Sequence, residues 1–375
     1  MTRAGGTWAV IAGGGTAGHV VPAVAIAQAL VERGHPRESI HFVGSKRGID
    51  ARLVGAAGFD ITLLPGRGLA RKLTLDNLQS LLGFAVALVR SVVLLARMRP
   101  AVVVSMGGYA AAPVAFAARL FRVPVVISEQ NAVPTATHRL VARFAVASAV
   151  PADGTPLPHP VTTGNPVRAE VLSIDSSDEG RRKARTELGL PLEATVIAAV
   201  GGSLGSRTIN EAVLELAGRW ADRPGLAIRH AVGDRDWADV SGRLPAAVDG
   251  GLVYQAIRYE ERMPLLLAAA DLVISRAGGT VWEIAVVGRA SILVPLPIAP
   301  FDHQAANAQV LVRAGAAIML RDPEVTADRL ATEVDSLFAT PGRLAAMGEA
   351  ARGVAHPDAA DRVAAVVEQH AKRQT

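Results

Sequence analysis

The fold is decided by the segment VIAGGGTAGH at residues 10–19, where a short apolar run passes into glycines and then into a helical pattern. A strand, a glycine turn and a helix in this order open a parallel α/β sheet. Short apolar runs alternate with longer helical stretches through both halves of the chain. Fully apolar strands are typical of parallel sheets covered by helices on both faces. The pattern predicts two doubly wound, Rossmann-like α/β domains that face each other across a cleft.

The boundary between the two domains is predicted from composition. Residues 151–166 contain five prolines and two glycines and show no apolar periodicity, which is typical of a connecting segment. We therefore expect domains at residues 1–165 and 166–375. The pattern leaves open whether the C-terminal helix returns to the first domain.

The overall charge narrows the class of partner. The 375 residues include 39 Lys and Arg against 34 Asp and Glu, which gives a net charge of +5, and such an excess favours anionic partners. Aromatic residues make up only 4% of the chain and form no basic and aromatic stripe, which argues against a nucleic-acid partner.

No cysteine is present, so disulfides and thiolate chemistry are excluded. Because neither a secretory signal nor a spanning apolar segment is evident, we expect a cytoplasmic protein.

Four glycine turns follow predicted strands, at residues 13–18, 106–109, 201–206 and 276–280. Backbone N–H groups at such turns can receive a phosphate or a sugar oxygen, although glycines there also serve tight packing of helix on strand. Gly13, Gly15 and Gly18 match the dinucleotide fingerprint, but the second strand runs into Gly44-Ser45 instead of an acidic residue. This disfavours a nicotinamide-dependent oxidoreductase.

Two polar side chains beside these turns are candidates for chemistry. His19 suits removal of a proton from a sugar hydroxyl, unless it is a structural histidine. Glu283 suits paired ribose hydroxyls, unless it lies on a solvated helix surface. Asp234 and Asp236 resemble a metal-binding pair, but such pairs are also common in solvated turns. No histidine spacing typical of zinc, no Walker loop and no nucleophile elbow occurs, so we expect neither a metal nor a cofactor.

Seven motifs in order resemble those of the MurG family, the GT-B N-acetylglucosaminyltransferases that convert lipid I to lipid II. The resemblance extends from about residue 10 to residue 369, nearly the whole chain. The motifs are GGGTAGH at 13–19, MGGY at 106–109, EQN at 129–131, GNPVR at 164–168, GGSLGS at 201–206, RAGGTVWE at 276–283 and HQAANA at 303–308.

The resemblance implies an inverting, metal-independent transfer of GlcNAc from UDP-GlcNAc to lipid I in peptidoglycan synthesis. The first domain would bind the lipid-linked acceptor and the membrane, and the second the UDP-sugar. It also implies peripheral association with the cytoplasmic face of the cell membrane and a part in cell-wall biogenesis, cell shape and cell division.

The motifs assign a role to each matching residue of this chain. His19 resembles the proposed general base, Ser203 would bind the donor phosphate, and Arg168 would reach the donor across the cleft. The remaining assignments are Thr16, Ala17, Gly18 and Asn131 for the transferred sugar or the acceptor; Gly14, Gly15, Gly107, Gly108 and Tyr109 for the acceptor pyrophosphate; Gly279 and Thr280 for the donor; Glu283 for the ribose; and His303 and Gln304 for the GlcNAc hydroxyls.

Three departures from the family pattern leave alternatives open. Ser128 stands where the family usually has His, the RAGG turn is one residue shorter than usual before Glu283, and residues 131–135 replace a glycine-containing continuation. The alternatives are a related GT-B transferase with another nucleotide sugar or acceptor, and a nucleotide-sugar-binding paralogue without catalysis.

A membrane-binding patch is predicted in the first domain. An apolar cluster rimmed by cations is typical of an interfacial surface, although leucines on such a helix can equally form core against the sheet. The apolar residues are Leu75, Leu78, Leu81, Leu82 and Phe84, with Phe121, and the cations are Arg67, Arg71, Lys72, Arg90, Arg97, Arg99, Arg119 and Arg122.

Overall fold

The computed structural model describes residues 6–46, 48–65, 75–202 and 205–373, with the backbone alone for residues 75–81. The chain divides into two compact units, Met1–Arg168 together with His356–Thr375, and Ala169–Ala355. Within the described ranges each unit holds one sheet, and all strand pairs are parallel. The prediction of two doubly wound α/β units is confirmed.

The first unit has a sheet with the strand order β3-β2-β1-β4-β5-β6-β7. Its strands are β1 (Ala9–Gly13), β2 (Ile40–Ser45), β3 (Asp60–Leu64), β4 (Val102–Gly107), β5 (Val125–Ser128), β6 (Ala147–Val150) and β7 (Pro160–Thr162). Its helices are α1 (Ala17–Glu32), α2 (Asp50–Ala56), α3 (Leu75–Met98), α4 (Ala111–Leu120), α5 (Ala136–Val141) and, from the C-terminal segment, α15 (Ala359–His370).

The second unit has a sheet with the strand order β10-β9-β8-β11-β12-β13. Its strands are β8 (Thr195–Val200), β9 (Leu226–Ala231), β10 (Val253–Ile257), β11 (Leu272–Arg276), β12 (Ala290–Val294) and β13 (Ala317–Met319). Its helices are α6 (Ala169–Leu172), α7 (Asp178–Leu188), α8 (Arg207–Arg219), α9 (Trp237–Ser241), α10 (Met263–Ala269), α11 (Thr280–Val287), α12 (His303–Arg313), α13 (Ala327–Ala339) and α14 (Arg343–Gly353).

The C-terminal helix α15 packs on the first unit. Val363 and Val367 are buried in the same apolar cluster as Ile26 and Leu30 of α1. At the rim, Arg33 donates to Asp361 at 2.7 Å and to Glu368 at 2.8 Å. Apolar burial therefore brings the end of the chain back to the unit that contains its beginning.

Three strands, β6, β7 and β10, were not predicted. β7 lies in the proline-rich segment and forms the edge of its sheet, a position where proline is tolerated because one side of the strand needs no ladder hydrogen bond. Among the described residues, no helix combines the length and apolarity needed to cross a membrane.

Candidate functional site

In the first unit, strands β1 and β4 lie side by side at the point where the strand order reverses. Ligands of open parallel sheets bind outside the carboxyl ends of strands at such a point. The turns that follow the two strands touch, because a Cβ on Gly108 (φ +75°) would lie 2.6 Å from the Gly14 carbonyl oxygen. A side chain at Gly108 would separate the turns, so this contact requires glycine.

His19 lies at the start of α1 beside these turns. Its Nδ1 is hydrogen-bonded to the Thr16 hydroxyl at 3.0 Å. A Cβ on Gly107 (φ +85°) would lie 3.3 Å from His19 Nε2. The structure therefore brings together three predicted site residues, Thr16, His19 and Gly107, with the Nε2 edge of the imidazole towards the β4 turn.

A buried carboxylate, Asp50, lies beneath the first glycine turn and was not predicted as a site residue. Its Oδ1 accepts from the Gly15 N–H at 2.7 Å and its Oδ2 from the Ser45 N–H at 2.8 Å. A Cβ on Gly14 would lie 2.0 Å from Asp50 Oδ2. The Gly15 N–H thus already donates within the protein, and contact of Gly14 and Gly15 with an acceptor pyrophosphate stays a prediction.

A second buried carboxylate, Glu129, organises the loop after β5. Its Oε1 accepts from the backbone N–H of Gln130 at 2.9 Å and from that of Asn131 at 3.0 Å. The Asn131 side-chain amide also donates to Oε1, at 3.0 Å, while the Thr135 N–H donates to Oε2 at 3.0 Å. The amide group of Asn131, a predicted substrate contact, is therefore held in place by Glu129.

His138 of α5 completes this network. Its Nδ1 lies 2.7 Å from Glu129 Oε2 and its Nε2 lies 3.0 Å from the carbonyl oxygen of Ser105. A carboxylate and a carbonyl oxygen can only accept, so both ring nitrogens donate and the ring is an imidazolium. Both side chains are 0% exposed, and a Cβ on Gly107 would lie 3.3 Å from His138 Cε1. A buried cation thus lies directly behind the β4 turn.

Opposing effects set the pKa of Glu129. Burial acts to raise it, but the charge of His138 and the hydrogen bonds from His138, Thr135 and Asn131 prevail and lower the pKa to about 2. Sequence reasoning identified the EQN motif but not His138, because the histidine lies one helix further along the chain. His138 reaches the turn after β4 from α5.

Tyr109 of the β4 turn has a buried hydroxyl. This oxygen has no hydrogen-bond partner among the described residues, and burial raises the pKa of the group. The ring stands edge-on to Phe84, with centroids 6.3 Å apart. An unsatisfied buried hydroxyl favours a polar ligand group at this turn.

In the second unit, β8 and β11 are the neighbouring strands at the reversal of strand order. The turn after β8 leads into α8, where the Ser206 side chain caps the helix by accepting from the Ile209 N–H. Ser203, the predicted donor-phosphate ligand, lies outside the described residues, and its role stays a prediction.

The turn after β11 leads into α11, which begins at Thr280 with Gly279 as its N-cap. Glu283 lies in the first turn of this helix and is only 6% exposed. A solvated helix-surface position, the alternative considered for Glu283, is therefore wrong. The helix that carries Glu283 begins at the carboxyl edge of the sheet, and the role of Glu283 as a ribose ligand stays a prediction.

Helix α12 supports this turn from the side. Asn307 donates to the Ala277 carbonyl oxygen at 3.2 Å, and Gln304 Oε1 accepts from the Leu296 N–H at 3.0 Å. A Cβ on Gly278 would lie 3.8 Å from Gln304 Nε2. The side-chain amide of Gln304 therefore lies next to the glycine turn that precedes Glu283.

His303 begins α12 after a strained turn. Its Nδ1 donates to the Pro300 carbonyl oxygen at 2.8 Å, so in the neutral ring Nε2 is an acceptor. Phe301 (φ +56°) and Asp302 (φ +52°) both lie in the left-handed region. Such strain costs about 1–3 kcal/mol per residue and clusters at ligand-binding segments.

The acidic pair Asp234 and Asp236 faces arginines. Asp234 accepts from Arg258 at 2.6 Å and Asp236 from Arg235 at 3.0 Å. No group of three His, Asp or Glu side chains suited to a metal ion occurs in the part of the chain that the structure describes.

Arg168, a predicted donor contact, is the half-buried last residue before the chain enters the second unit.

An apolar stripe runs along α3. Leu82, Val86, Val89 and Val93 are 62%, 46%, 63% and 44% exposed, and their spacing places them on one face of the helix. Phe84 lies instead half-buried against Tyr109, so its assignment to the exposed patch is corrected. The side chains of Leu75, Leu78 and Leu81, and the cations Arg67, Arg71 and Lys72, lie outside the described residues.

Similarity to known proteins identifies the family of this chain. Residues 9–150 match the glycosyltransferase family 28 N-terminal domain, and residues 196–363 match the family 28 C-terminal domain. A relative from Desulforudis audaxviator is 37% identical over 98% of this chain and 99% of its own length. Another, from Acidothermus cellulolyticus, is 40% identical over 96% of this chain and 97% of its own. The chain belongs to the MurG family of family 28 glycosyltransferases.

Both of these MurG relatives carry the name UDP-N-acetylglucosamine--N-acetylmuramyl-(pentapeptide) pyrophosphoryl-undecaprenol N-acetylglucosamine transferase. The crystal structure of MurG from Acinetobacter baumannii is also similar, with a TM-score of 0.74 and 28% identity over 96% of this chain and 99% of that one. The two parallel α/β units of this chain therefore match the GT-B fold of the MurG family.

Proposed function

We propose that this chain transfers GlcNAc, with inversion, from UDP-GlcNAc to the muramyl 4-hydroxyl of lipid I, forming lipid II for peptidoglycan and so contributing to cell-wall biogenesis, cell shape and division. The observation that carries the proposal is the match to transferases of this name along nearly their whole length. The transfer breaks the bond between the sugar C1 and the UDP oxygen and forms a bond from C1 to the acceptor oxygen. The acceptor proton passes to a base, and UDP leaves.

In the first unit, His19 is the base we propose. Its Nε2 edge faces the β4 turn, and its Nδ1 is held by Thr16 at 3.0 Å. A general base must lie within hydrogen-bond reach of the proton that it removes. We therefore propose that the muramyl hydroxyl binds beside His19, near Ala17 and Gly18, while the pyrophosphate lies along Gly107, Gly108 and the unsatisfied Tyr109 hydroxyl.

In the second unit, Glu283 is the ribose ligand we propose. A carboxylate that accepts from two vicinal hydroxyls makes two charge-assisted hydrogen bonds. Gln304 and His303 present an amide and an imidazole nitrogen on the same edge of the sheet, which supports their assignment to the GlcNAc hydroxyls. Helix N-termini at this edge suit the diphosphate charge of UDP.

The decisive experiment supplies the purified chain with lipid I and UDP-GlcNAc and follows UDP release and disaccharide formation. Thermal shift with a panel of UDP- and dTDP-sugars tests the donor in parallel. Stabilisation by another nucleotide sugar with turnover of that sugar would indicate a related transferase. Stabilisation by UDP-GlcNAc without any turnover would indicate a paralogue that has lost catalysis.

We further propose that the exposed stripe of α3 binds the cytoplasmic face of the cell membrane. The stripe lies on the same helix as the exposed Arg90 and Arg97, and apolar side chains with neighbouring cations suit anionic lipid surfaces. Each cation near such a surface adds about 1 kcal/mol of attraction.

Sedimentation with vesicles tests this surface. Binding should rise with phosphatidylglycerol content, weaken with salt, and fall in Leu82→Ser/Val89→Ser. Val161→Ser, at another exposed apolar position of the same unit, is the matched control and should bind normally. Equal binding to neutral and anionic vesicles would remove the electrostatic part of the proposal, and no binding at low salt would remove all of it.

A further inference from the structure

The second unit contains a cavity of about 450 Å³ at the edge of its sheet opposite to the proposed donor site. Thr195 and Ala290, the first residues of β8 and β12, line it, whereas the glycine turns follow the carboxyl ends of β8 and β11. Strands of five or six residues separate the two edges by about 17–20 Å. The cavity is therefore distinct from the site assigned to UDP-GlcNAc.

The cavity is strongly cationic. Arg181, Arg289, Arg343 and Arg352 line it, together with a single carboxylate, Asp271. Asp271 is already engaged, because Arg181 donates to it at 2.6 Å, Arg185 at 2.7 Å and the Val196 N–H at 2.7 Å. The negative charge of Asp271 therefore does not neutralise the four arginines that line the cavity.

Arg289 is the buried member of this group, only 3% exposed. Its Nε donates to the Leu267 carbonyl oxygen and its Nη2 to that of Ala268, each at 2.8 Å, and it makes no ion pair among the described residues. Burial lowers its pKa to about 10; the charge of Arg181 acts in the same direction, and the charge of Asp271 opposes it without prevailing. A buried charge without an ionic partner is costly, so an anion in the cavity would stabilise this side chain.

Three further donor groups around the cavity lack a partner among the described residues. Within the described ranges, the guanidinium groups of Arg343 and Arg352 have no hydrogen-bond acceptor or acidic partner, and Arg181 Nε is buried without an acceptor. Arg352 lies across Gly288, where a Cβ would stand 2.4 Å from its Nε. The cavity also includes the first turn of α14, whose N-cap Gly342 offers no side-chain oxygen.

We infer that this cavity is a binding site for a phosphate-bearing anion, separate from the donor site. Planar guanidinium groups bind phosphate oxygens in a bidentate manner. The N–H groups of Leu344 and Ala345 in the first turn of α14 add donors that favour negative charge. A soluble phosphate ester and a phospholipid headgroup share this chemistry.

Calorimetry with inorganic pyrophosphate tests the site on the full chain, with and without saturating UDP. We expect pyrophosphate to bind in the presence of UDP, and Arg343→Gln/Arg352→Gln to weaken binding at this cavity by roughly tenfold or more for each arginine removed. Both residues are exposed, so the variant should fold. The matched control is Arg243→Gln/Arg329→Gln, which removes the same charge from exposed arginines elsewhere in the unit and should leave binding unchanged.

A second arm separates the two sources of phosphate. If the double variant also sediments less with phosphatidylglycerol vesicles, the ligand is a lipid headgroup; unchanged sedimentation together with weaker pyrophosphate binding indicates a soluble ligand. The inference is overturned if UDP-saturated chain binds no pyrophosphate and the variant sediments like wild type, or if the variant and the wild type bind pyrophosphate equally.

Discussion

The ends of strands β5 and β12 occupy equivalent places in the two sheets, one strand beyond the reversal of strand order, yet they are supported differently. After β5, the buried ion pair of Glu129 and His138 holds the loop. After β12, the neutral amide of Gln304 binds the backbone of Leu296. Arg276, which is ion-paired with the partly exposed Asp322, donates to the carbonyl oxygens of Val294 and Pro295.

This difference has consequences for stability and for chemistry. A buried ion pair is sensitive to pH and to loss of either partner, whereas amide-to-backbone hydrogen bonds do not titrate. The first unit therefore places charge directly behind the turn where we propose that a proton is removed. The second unit places a buried carboxylate, Glu283, at the turn where we propose that a neutral ribose binds. Four predictions test this contrast.

The largest expected effect is on turnover. His19→Ala should lower kcat by about 10²–10⁴-fold, because general-base catalysis contributes that much. Donor affinity, which we assign to the other unit, should stay unchanged in calorimetry with UDP-GlcNAc. Turnover within a few-fold of wild type would assign the base to another group, and a parallel loss of donor affinity would break the division of roles between the units.

The next effect is on stability of the first unit. Glu129→Gln removes the ionic partner of a buried imidazolium and should lower the free energy of unfolding by about 3–5 kcal/mol. Urea denaturation measures the change, with Glu38→Gln, an exposed glutamate of the same unit, as the control. Equal stabilities of the two variants would show that the pair contributes nothing to the loop.

The contribution of the Glu129–His138 pair to stability should depend on pH in the acid range. The pKa of Glu129 is held at about 2, below its ordinary value of 4.5, so its contribution is complete above pH 4.5 and is lost as the pH falls towards 2. The shift corresponds to roughly 3 kcal/mol. The difference in unfolding free energy between wild type and Glu129→Gln should therefore shrink across this range. A difference that is constant from pH 6 to pH 3 would contradict the ionic account.

The smallest effect is on donor binding. Glu283→Gln keeps the shape of the side chain but removes its charge, and should weaken UDP-GlcNAc binding by roughly tenfold or more, since a charge-assisted hydrogen bond contributes about 1.5–3 kcal/mol. Glu261→Gln, an exposed change in the same unit, is the control. Unchanged affinity for UDP-GlcNAc would show that Glu283 does not bind the ribose.

Much of the molecule could be predicted from local pattern. Apolar runs such as residues 102–105 become buried parallel strands because strand identity depends on side chains that are adjacent in sequence. The turns at Gly107 and Gly278 follow for the same reason, since a strand that ends in glycines and precedes a helix leaves few other conformations. The activity was predicted from the resemblance to the MurG family, because hydrophobic periodicity carries no information about activity.

Only the tertiary structure decided which distant side chains meet. Asp50 lies beneath Gly14, and His138 reaches the carbonyl oxygen of Ser105, because parallel pairing of β1, β2, β4 and β5 brings their carboxyl ends together. The return of α15 to α1 and the arginine cavity of the second unit depend likewise on packing between remote segments. Sequence records spacing along the chain, whereas burial, ion pairing and hydrogen bonding are set by distances in space.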